Sequence, residues 1–328
     1  MVKGSMMKAI RRTVYGPGES LSFDEIPTPE VGDSDVLMEV HTSSVNPYDW
    51  HLVRGEPYLL RVSAGFRRPK NPEVGIDAAG TVIAVGAKVT RFEPGDKVFG
   101  LARGAFAEYS AADEKRLVSK PDALTFESAA SLPCAGNTAL LAVRDKGQVE
   151  SGMSVLVNGA SGGVGSFAVQ IAKSLGAEVT GVCSTRNVEL VKSIGAAEVI
   201  DYSHDDFARR SRRYDVVVDT IGNRTLSDLR RALKPRGTLV VAGGGSGKWF
   251  RPIALSLKAV VVSPLVRQQI RSVMAVVTPE NLETLSTLVL SGDVAPLIDR
   301  TYPLRETPAA VSYVEEGHAR GKVIITVS

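Results

Sequence analysis

The sequence predicts an α/β protein of two domains: a doubly wound parallel sheet, and a mostly β domain that is split in the chain. Three observations carry this expectation. The chain has 328 residues, more than one hydrophobic core ordinarily serves. From Lys8 to about Lys120, short β-type runs alternate with Gly and Pro punctuation. From about Leu124 the pattern turns to strand, helix, strand, helix, which implies parallel pairing. Apolar residues at 44% and charged residues at 23% exclude a disordered or fibrous chain.

Taken in order, the first domain shows strands over residues 36–42, 80–85, 97–100 and 105–110. The second shows strands over 154–158, 179–183, 198–200, 215–219 and 238–242, with a sixth over 258–263. Between its first two strands, Val164, Phe167, Ala168, Ile171, Ala172 and Leu175 recur at helical spacing, and Gly176 ends the helix. Helices over 188–194 and 225–233 repeat the theme. In the tail, Thr278-Pro279 and Thr307-Pro308 each read as an N-cap followed by proline, and Leu282, Leu285, Leu288 and Val289 form an apolar face. A last strand over 323–327 has no helix after it and is expected to return to the first domain. The expected bounds are 7–123 with 270–328 for the β domain and 124–269 for the parallel one. The residues through Ser5 or Met6 read as an addition before the fold.

With 39 basic and 36 acidic side chains, the net charge of +3 gives no overall electrostatic case for nucleic acid or membrane binding. The run Arg209, Arg210, Arg212, Arg213 reads as a solvated surface helix, with an anion site as the alternative. Cys134 and Cys183 are too few for a disulfide framework or a multi-cysteine zinc site, which fits a reducing, cytoplasmic setting. Lys3, Lys8, Arg11 and Arg12 interrupt any apolar leader, and the longest uncharged stretch, 151–172, holds Asn158, Gln170 and several glycines, so it is no membrane span.

The strongest motif is VLVNGASGGVGSFAVQIAKSLGAEV over 155–179. It sets Gly159, Ala160, Ser161, Gly162, Gly163, Val164 and Gly165 between a strand and a helix, the context of the Rossmann dinucleotide loop. Gly162 is expected to let backbone approach a pyrophosphate, Gly165 to let helix pack on sheet, and the helix N-terminus to face the negative charge. In Gly-x-Gly-x-x-Gly spacing the first position is Ala160, with Gly159 just before it. After the second strand come Ser184, Thr185, Arg186 and Asn187, with no acid until Glu189. Hydroxyls beside a guanidinium suit a 2′-phosphate, so the expected cofactor is NADPH. A short-chain dehydrogenase is excluded, because no tyrosine has lysine four residues on.

With these residues in view, the chain resembles the medium-chain dehydrogenase/reductase superfamily, in its zinc-free, zeta-crystallin-like NADPH:quinone oxidoreductase branch. VNPYDW (45–50), GIDAAGTVIAVGAKV (75–89), PGDKVFG (94–100), GAFAEY (104–109), NGASGGVGSFAVQ (158–170), GVCSTRN (181–187) and IDRTYPL (298–304) carry the likeness. It implies a Rossmann NADP-binding domain and a GroES-like catalytic domain. Zinc-dependent members place a cysteine where this chain has Asn46 and a His-Glu pair where it has Ile76-Asp77; the four-cysteine structural lobe is absent too. No metal is therefore expected, and His51 with Asp49 has no third soft ligand nearby. The implied reaction is hydride transfer from NADPH to a small apolar quinone or other electron-poor acceptor. An enoyl or alkenal reductase, or a non-catalytic NADPH-binding protein, stands as the alternative.

The catalytic candidates are Asn46, Tyr48 and His51, where the superfamily puts its active site, with His51 the easier proton donor at neutral pH. The likeness also sets Asn46 beside the nicotinamide, Thr138 at its amide and Tyr202 at the adenosine phosphate pocket. Gly222, Gly243 and Gly244 follow strands close to the dinucleotide, and Lys322 reaches the pyrophosphate. The segment 56–71, with Tyr58, Phe66, Arg67 and Arg68, is expected to edge the substrate mouth. The apolar edge Ala259 to Val262 is expected to pair across a two-fold axis in a homodimer.

Overall fold

A computed structural model describes residues 5–243 and 267–327. The chain divides into two units, Met1–Cys134 with Val277–Leu290 and Ile298–Ser328, and Ala135–Val276 with Ser291–Leu297. The bounds differ from those read in the sequence. Residues 124–134 join the first unit because α3 (Phe126–Ser131) packs on its strands, and 270–276 and 291–297 join the second.

In the first unit, β1 (Met6–Arg11) and β2 (Ser22–Pro27) form an antiparallel pair. Ser5 and Met6 therefore belong to the fold: Met6 faces Pro27, and the Thr28 amide donates to the Ser5 carbonyl at 2.9 Å. The larger sheet runs β14 (Ile298–Pro303), β15 (Lys322–Thr326), β3 (Asp35–Val45), β4 (Asp77–Val85), β5 (Lys97–Leu101) and β7 (Leu117–Ser119), with β6 (Tyr109–Asp113) also on β3. The strand read over 105–110 thus starts later, at Tyr109. The tail does return to this sheet, since β15 lies antiparallel to β3 with Val323 opposite Val45. One core joins Ile10, Val45, Val53, Phe106, Leu304 and Val323, and a second joins Val36, Met38, Val82 and Leu117. Thr307 does not cap the last helix. It is the first residue of Thr307–Glu315, and its hydroxyl donates back to the Leu304 carbonyl at 2.7 Å.

Among the described residues, the second unit is built on a six-stranded, wholly parallel sheet. Its order is β10 (Glu198–Asp201), β9 (Glu178–Cys183), β8 (Ser154–Asn158), β11 (Tyr214–Asp219), β12 (Leu233–Val241), β13 (Gln269–Ser272). The strand read over 258–263 and the edge Ala259 to Val262 lie outside the described residues, as does Gly244. Strand order reverses between β8 and β11, the point where open α/β sheets open a crevice at the carboxyl ends of their strands. Helix α5 (Gly163–Ser174) buries Phe167, Ala168, Ile171 and Ala172 as its spacing demands, while Leu175 ends outside it, 37% exposed. Helices α6 (Val188–Ser193) and α7 (Leu226–Arg231) follow β9 and β11.

The arginine run is no helix. Residues 207–213 turn irregularly, and Arg210 pairs with Glu198 and Asp205, Arg212 with Glu178 and Glu198, and Arg209 with Asp206. These local acids compensate the charge that the sequence suggested was only solvated. Among the described residues, no helix is long and apolar enough to cross a membrane.

Candidate active site and dinucleotide crevice

The crevice of the parallel unit is framed by the last residues of β8 and β11. Asn158 and Asp219 are register partners, and the Asn158 amide donates to Asp219 Oδ1 at 2.8 Å and to Asn223 Oδ1 at 3.1 Å. The Ile221 and Gly222 amides also donate to Asp219 Oδ1, at 3.3 and 3.2 Å, while Oδ2 has no hydrogen-bond partner among the described residues. Burial pushes the Asp219 carboxyl above its ordinary pKa. Sequence reading missed this acid, although its place at the end of a strand beside the switch point was the available signal. Gly222 is thereby engaged by Asp219. A side chain on Gly243 would come within 2.0 Å of the Thr220 carbonyl, so that glycine answers to a neighbouring loop.

The glycine loop has the form its spacing implies. A Cβ on Gly165 would lie 2.0 Å from the Gly159 carbonyl, so only glycine lets the helix sit this close to the turn. A Cβ on Gly162 would meet only that carbonyl, at 3.5 Å, leaving open space beside the backbone. Gly162 precedes α5 without any side-chain cap, so the first amides of the helix, at Gly163, Val164 and Gly165, have no intrahelical acceptor and are available to an anion. Ala160 is fully buried, while Ser161 accepts from the Asn187 amide at 2.9 Å. These residues fit a dinucleotide diphosphate.

Ser184, Thr185, Arg186 and Asn187 form one turn after β9. Asn187 is buried and donates to both Ser161 and Ser184, tying this turn to the glycine loop. Arg186 is exposed, and Tyr202 is 54% exposed. The structure adds an acid that linear reading left out: Asp201 ends β10 opposite Cys183. The Thr185 hydroxyl and the Ser203 amide hold its carboxyl below the usual range. Thr138 is buried on α4 (Asn137–Leu140).

In the other unit, the antiparallel register of β15 on β3 puts Lys322 beside Asn46. Lys322 is 2% exposed, Asn46 1% and Asp77 fully buried. The Lys322 ammonium donates to Asn46 Oδ1 at 2.6 Å and lies 3.7 Å from Asp77 Oδ2. Asn46 Nδ2 donates to Asp77 Oδ2 at 2.8 Å and to the Ser44 carbonyl at 3.2 Å, and Ser44 Oγ donates to Asp77 Oδ2 at 2.7 Å. Two assignments change. Lys322 does not extend to a pyrophosphate, because its ammonium is buried on Asn46 and Asp77. Asn46 is not an oxyanion donor, because both of its amide protons are already donated. Burial pushes the Asp77 carboxyl up, and Lys322, Ser44 and Asn46 pull it part of the way back. Burial also raises the Cys134 thiol, consistent with an inert structural cysteine.

Helix α1 (Pro47–Arg54) starts at Asn46, with proline at its first position. The Asn46 amide donates to Asp49 Oδ2 at 2.7 Å, closing the first turn, while Asp49 Oδ1 has no hydrogen-bond partner among the described residues. Burial is the largest influence on Asp49 and pushes it up to about 7. Its folded value thus exceeds the unfolded one of about 4. The folded state holds the extra proton across that interval, so stability is greatest below it and falls as pH rises towards 7. Urea unfolding across this range should show that fall in the wild type and a flatter profile in Asp49→Asn; equal slopes would remove Asp49 as its source.

His51 is half-buried, stacks on Trp50 with ring centroids 3.6 Å apart, and directs Nδ1 at the Glu56 carbonyl at 2.8 Å. That contact makes Nδ1 the protonated nitrogen of the neutral ring, leaving Nε2 an acceptor. Burial lowers the pKa, with the Glu56 carbonyl acting against it, so the protonated ring is scarcer at neutral pH than the sequence reading expected. Tyr48 is 47% exposed, and burial, with Asp49 adding to it, raises its phenol so that the hydroxyl stays protonated. Of the three candidates, only Tyr48 offers an accessible proton donor.

Cavities elsewhere do not compete for this role. One of about 600 Å³ lies at the opening ends of β11 and β12, by Asp215 and Lys234, away from the carboxyl ends where such sheets bind ligands. Among the described residues, no group of three or more His, Cys, Asp or Glu is placed to hold a metal.

A doubly wound nucleotide fold and a β unit closed by the chain's own tail define a medium-chain dehydrogenase/reductase. Residues 32–122 match the family described as alcohol dehydrogenase GroES-like domain, and residues 194–325 that described as zinc-binding dehydrogenase. The chain is 33% identical to the chloroplast envelope quinone oxidoreductase homolog of Arabidopsis thaliana, covering 98% of this chain and 99% of that one. The structure of the quinone oxidoreductase from Coxiella burnetii superposes with a TM-score of 0.88 at 31% identity, covering 99% and 100%. A mycobacterial protein solved in complex with NADPH gives 0.84 at 26% identity, covering 98% and 100%. The chain belongs to the quinone oxidoreductase branch of the medium-chain dehydrogenase/reductase superfamily.

Proposed function

We propose that this protein catalyses zinc-independent hydride transfer from NADPH to a quinone or another electron-poor acceptor. The observation that carries the zinc-free reading is the buried Lys322 ammonium. It sits on Asn46 and beside Asp77, at the positions where zinc-dependent relatives place their ligands. A cation already fills the centre of this donor set, and an amide, a carboxylate and an ammonium are not a tetrahedral zinc site. Without a Lewis acid, acceptors that take hydride readily are favoured over simple ketones.

NADPH, when bound, supplies the hydride. The amides of Gly163, Val164 and Gly165 bind the diphosphate, and Arg186 with Ser184 binds the 2′-phosphate. Tyr48 donates a hydrogen bond to the acceptor oxygen as its negative charge grows. The NADPH-complexed neighbour and the quinone oxidoreductase relatives support this reading.

The test is an initial-rate comparison of NADPH and NADH against quinone, enal and enone acceptors, repeated with Arg186→Glu. A charge-assisted bond contributes about 1.5–3 kcal/mol, so the variant should lose about 10–100-fold of its preference for NADPH. An unchanged ratio would refute the phosphate assignment. NADPH binding without oxidation by any of these acceptors would refute the catalytic reading.

A further inference from the structure

After α1, the sixteen residues 57–72 contain Arg61, Arg67, Arg68 and Lys70 and no acid. They form a 3-10 turn at Tyr58–Leu60, then α2 (Arg61–Ala64), then an irregular strap. Within eight consecutive residues Leu59 is 54% exposed, Val62 72% and Phe66 78%. Isolated apolar residues on a surface are ordinary, but three within eight residues concentrate exposed apolar surface on one short segment. The backbone beneath them is anchored. The Tyr15 hydroxyl donates to the Gly65 carbonyl at 2.6 Å, and Arg12 donates to the Asn71 carbonyl at 3.0 Å. Arg61 donates to the Gly55 carbonyl at 2.9 Å, with its guanidinium over the rings of Tyr15 and Tyr58. Arg61 is thus committed to structure. Arg67, Arg68 and Lys70 are exposed and form no ion pair among the described residues. The flanking acids are Glu56 and Glu73, and Glu73 is bonded to Asn71.

We propose that this surface docks on an anionic lipid bilayer, with Leu59, Val62 and Phe66 entering the headgroup boundary and Arg67, Arg68 and Lys70 meeting lipid phosphates and carboxylates. A bilayer offers apolar depth and negative charge together, which complements the exposed apolar side chains and cations of this segment. A second copy is a poorer occupant, because a two-fold contact would set the same cations against each other. The net charge of +3 conceals the feature, since three of the cations fall within four residues.

The full chain is mixed with vesicles of phosphatidylcholine alone, or of phosphatidylcholine with phosphatidylglycerol, and flotation is measured. Flotation with the anionic vesicles only is expected. Each cation near such a surface contributes about a fivefold factor, so Arg67→Gln/Arg68→Gln/Lys70→Gln should lower the partition coefficient about a hundredfold. Val62→Ser/Phe66→Ser should lower it about tenfold or more. Both variants should melt at the wild-type temperature, because the altered side chains are exposed. No flotation at low salt, or flotation unchanged in either variant, would overturn the proposal. So would capture by polyglutamate with no flotation, which would assign the patch to an acidic protein.

Discussion

Lys322→Met should destabilise the protein by about 3–5 kcal/mol at neutral pH, read by urea unfolding. The size follows from what the substitution leaves behind. Asp77 is fully buried, and its charge is balanced by one ammonium that is itself 2% exposed. Removing that ammonium also strips Asn46 Oδ1 of its donor, so two polar groups lose their partner at once. The loss belongs to the uncompensated carboxylate and not to the lysine alone. Adding Asp77→Asn to Lys322→Met should therefore recover much of it, and the double-mutant cycle should show strong coupling. A cost below about 1 kcal/mol would mean that burial already keeps Asp77 protonated in the wild type. In that event the zinc-free reading would lose its electrostatic basis.

Tyr48→Phe should lower kcat about a hundredfold while NADPH affinity is retained, since losing one donor to a developing oxyanion costs on that order. Both Asn46 amide protons are donated inside the protein, and the His51 Nδ1 proton is held by the Glu56 carbonyl. Tyr48 is the most exposed of the three residues, and its raised phenol keeps its proton at neutral pH. His51→Gln is expected to change kcat far less. A Tyr48→Phe enzyme turning over at the wild-type rate, or a His51→Gln enzyme with the larger loss, would sink this assignment. The two experiments are independent, because Lys322→Met reads stability and Tyr48→Phe reads rate.

Much of the parallel unit was legible in the sequence. The spacing of Phe167, Ala168, Ile171 and Ala172 fixes one buried helix face, and Gly165 is required by a carbonyl 2.0 Å from where its Cβ would be. Such features are local, so a short window contains the whole constraint. Asp201 shows where that reasoning stops. It stands fifteen residues beyond Arg186, so a reading of the loop as acid-free was correct in the chain and incomplete in space. Parallel pairing of β10 on β9 brings its carboxylate to Thr185. The arginine run misled for a related reason: the acids that neutralise it come from β9, β10 and the turn between β10 and β11.

Taken alone, the sequence determined the fold class, the dinucleotide loop and the family likeness, because periodicity and glycine placement encode local backbone geometry. It also held the three candidate donors within six residues, at Asn46, Tyr48 and His51. Which of them can donate was decided only by the tertiary structure. The antiparallel return of β15 onto β3 carries Lys322 across more than 270 residues to Asn46, and burial there converts a residue that looked like a ligand contact into the counter-charge of Asp77. Charge pairing in a buried site depends on through-space distance and desolvation, neither of which is a property of spacing along the chain.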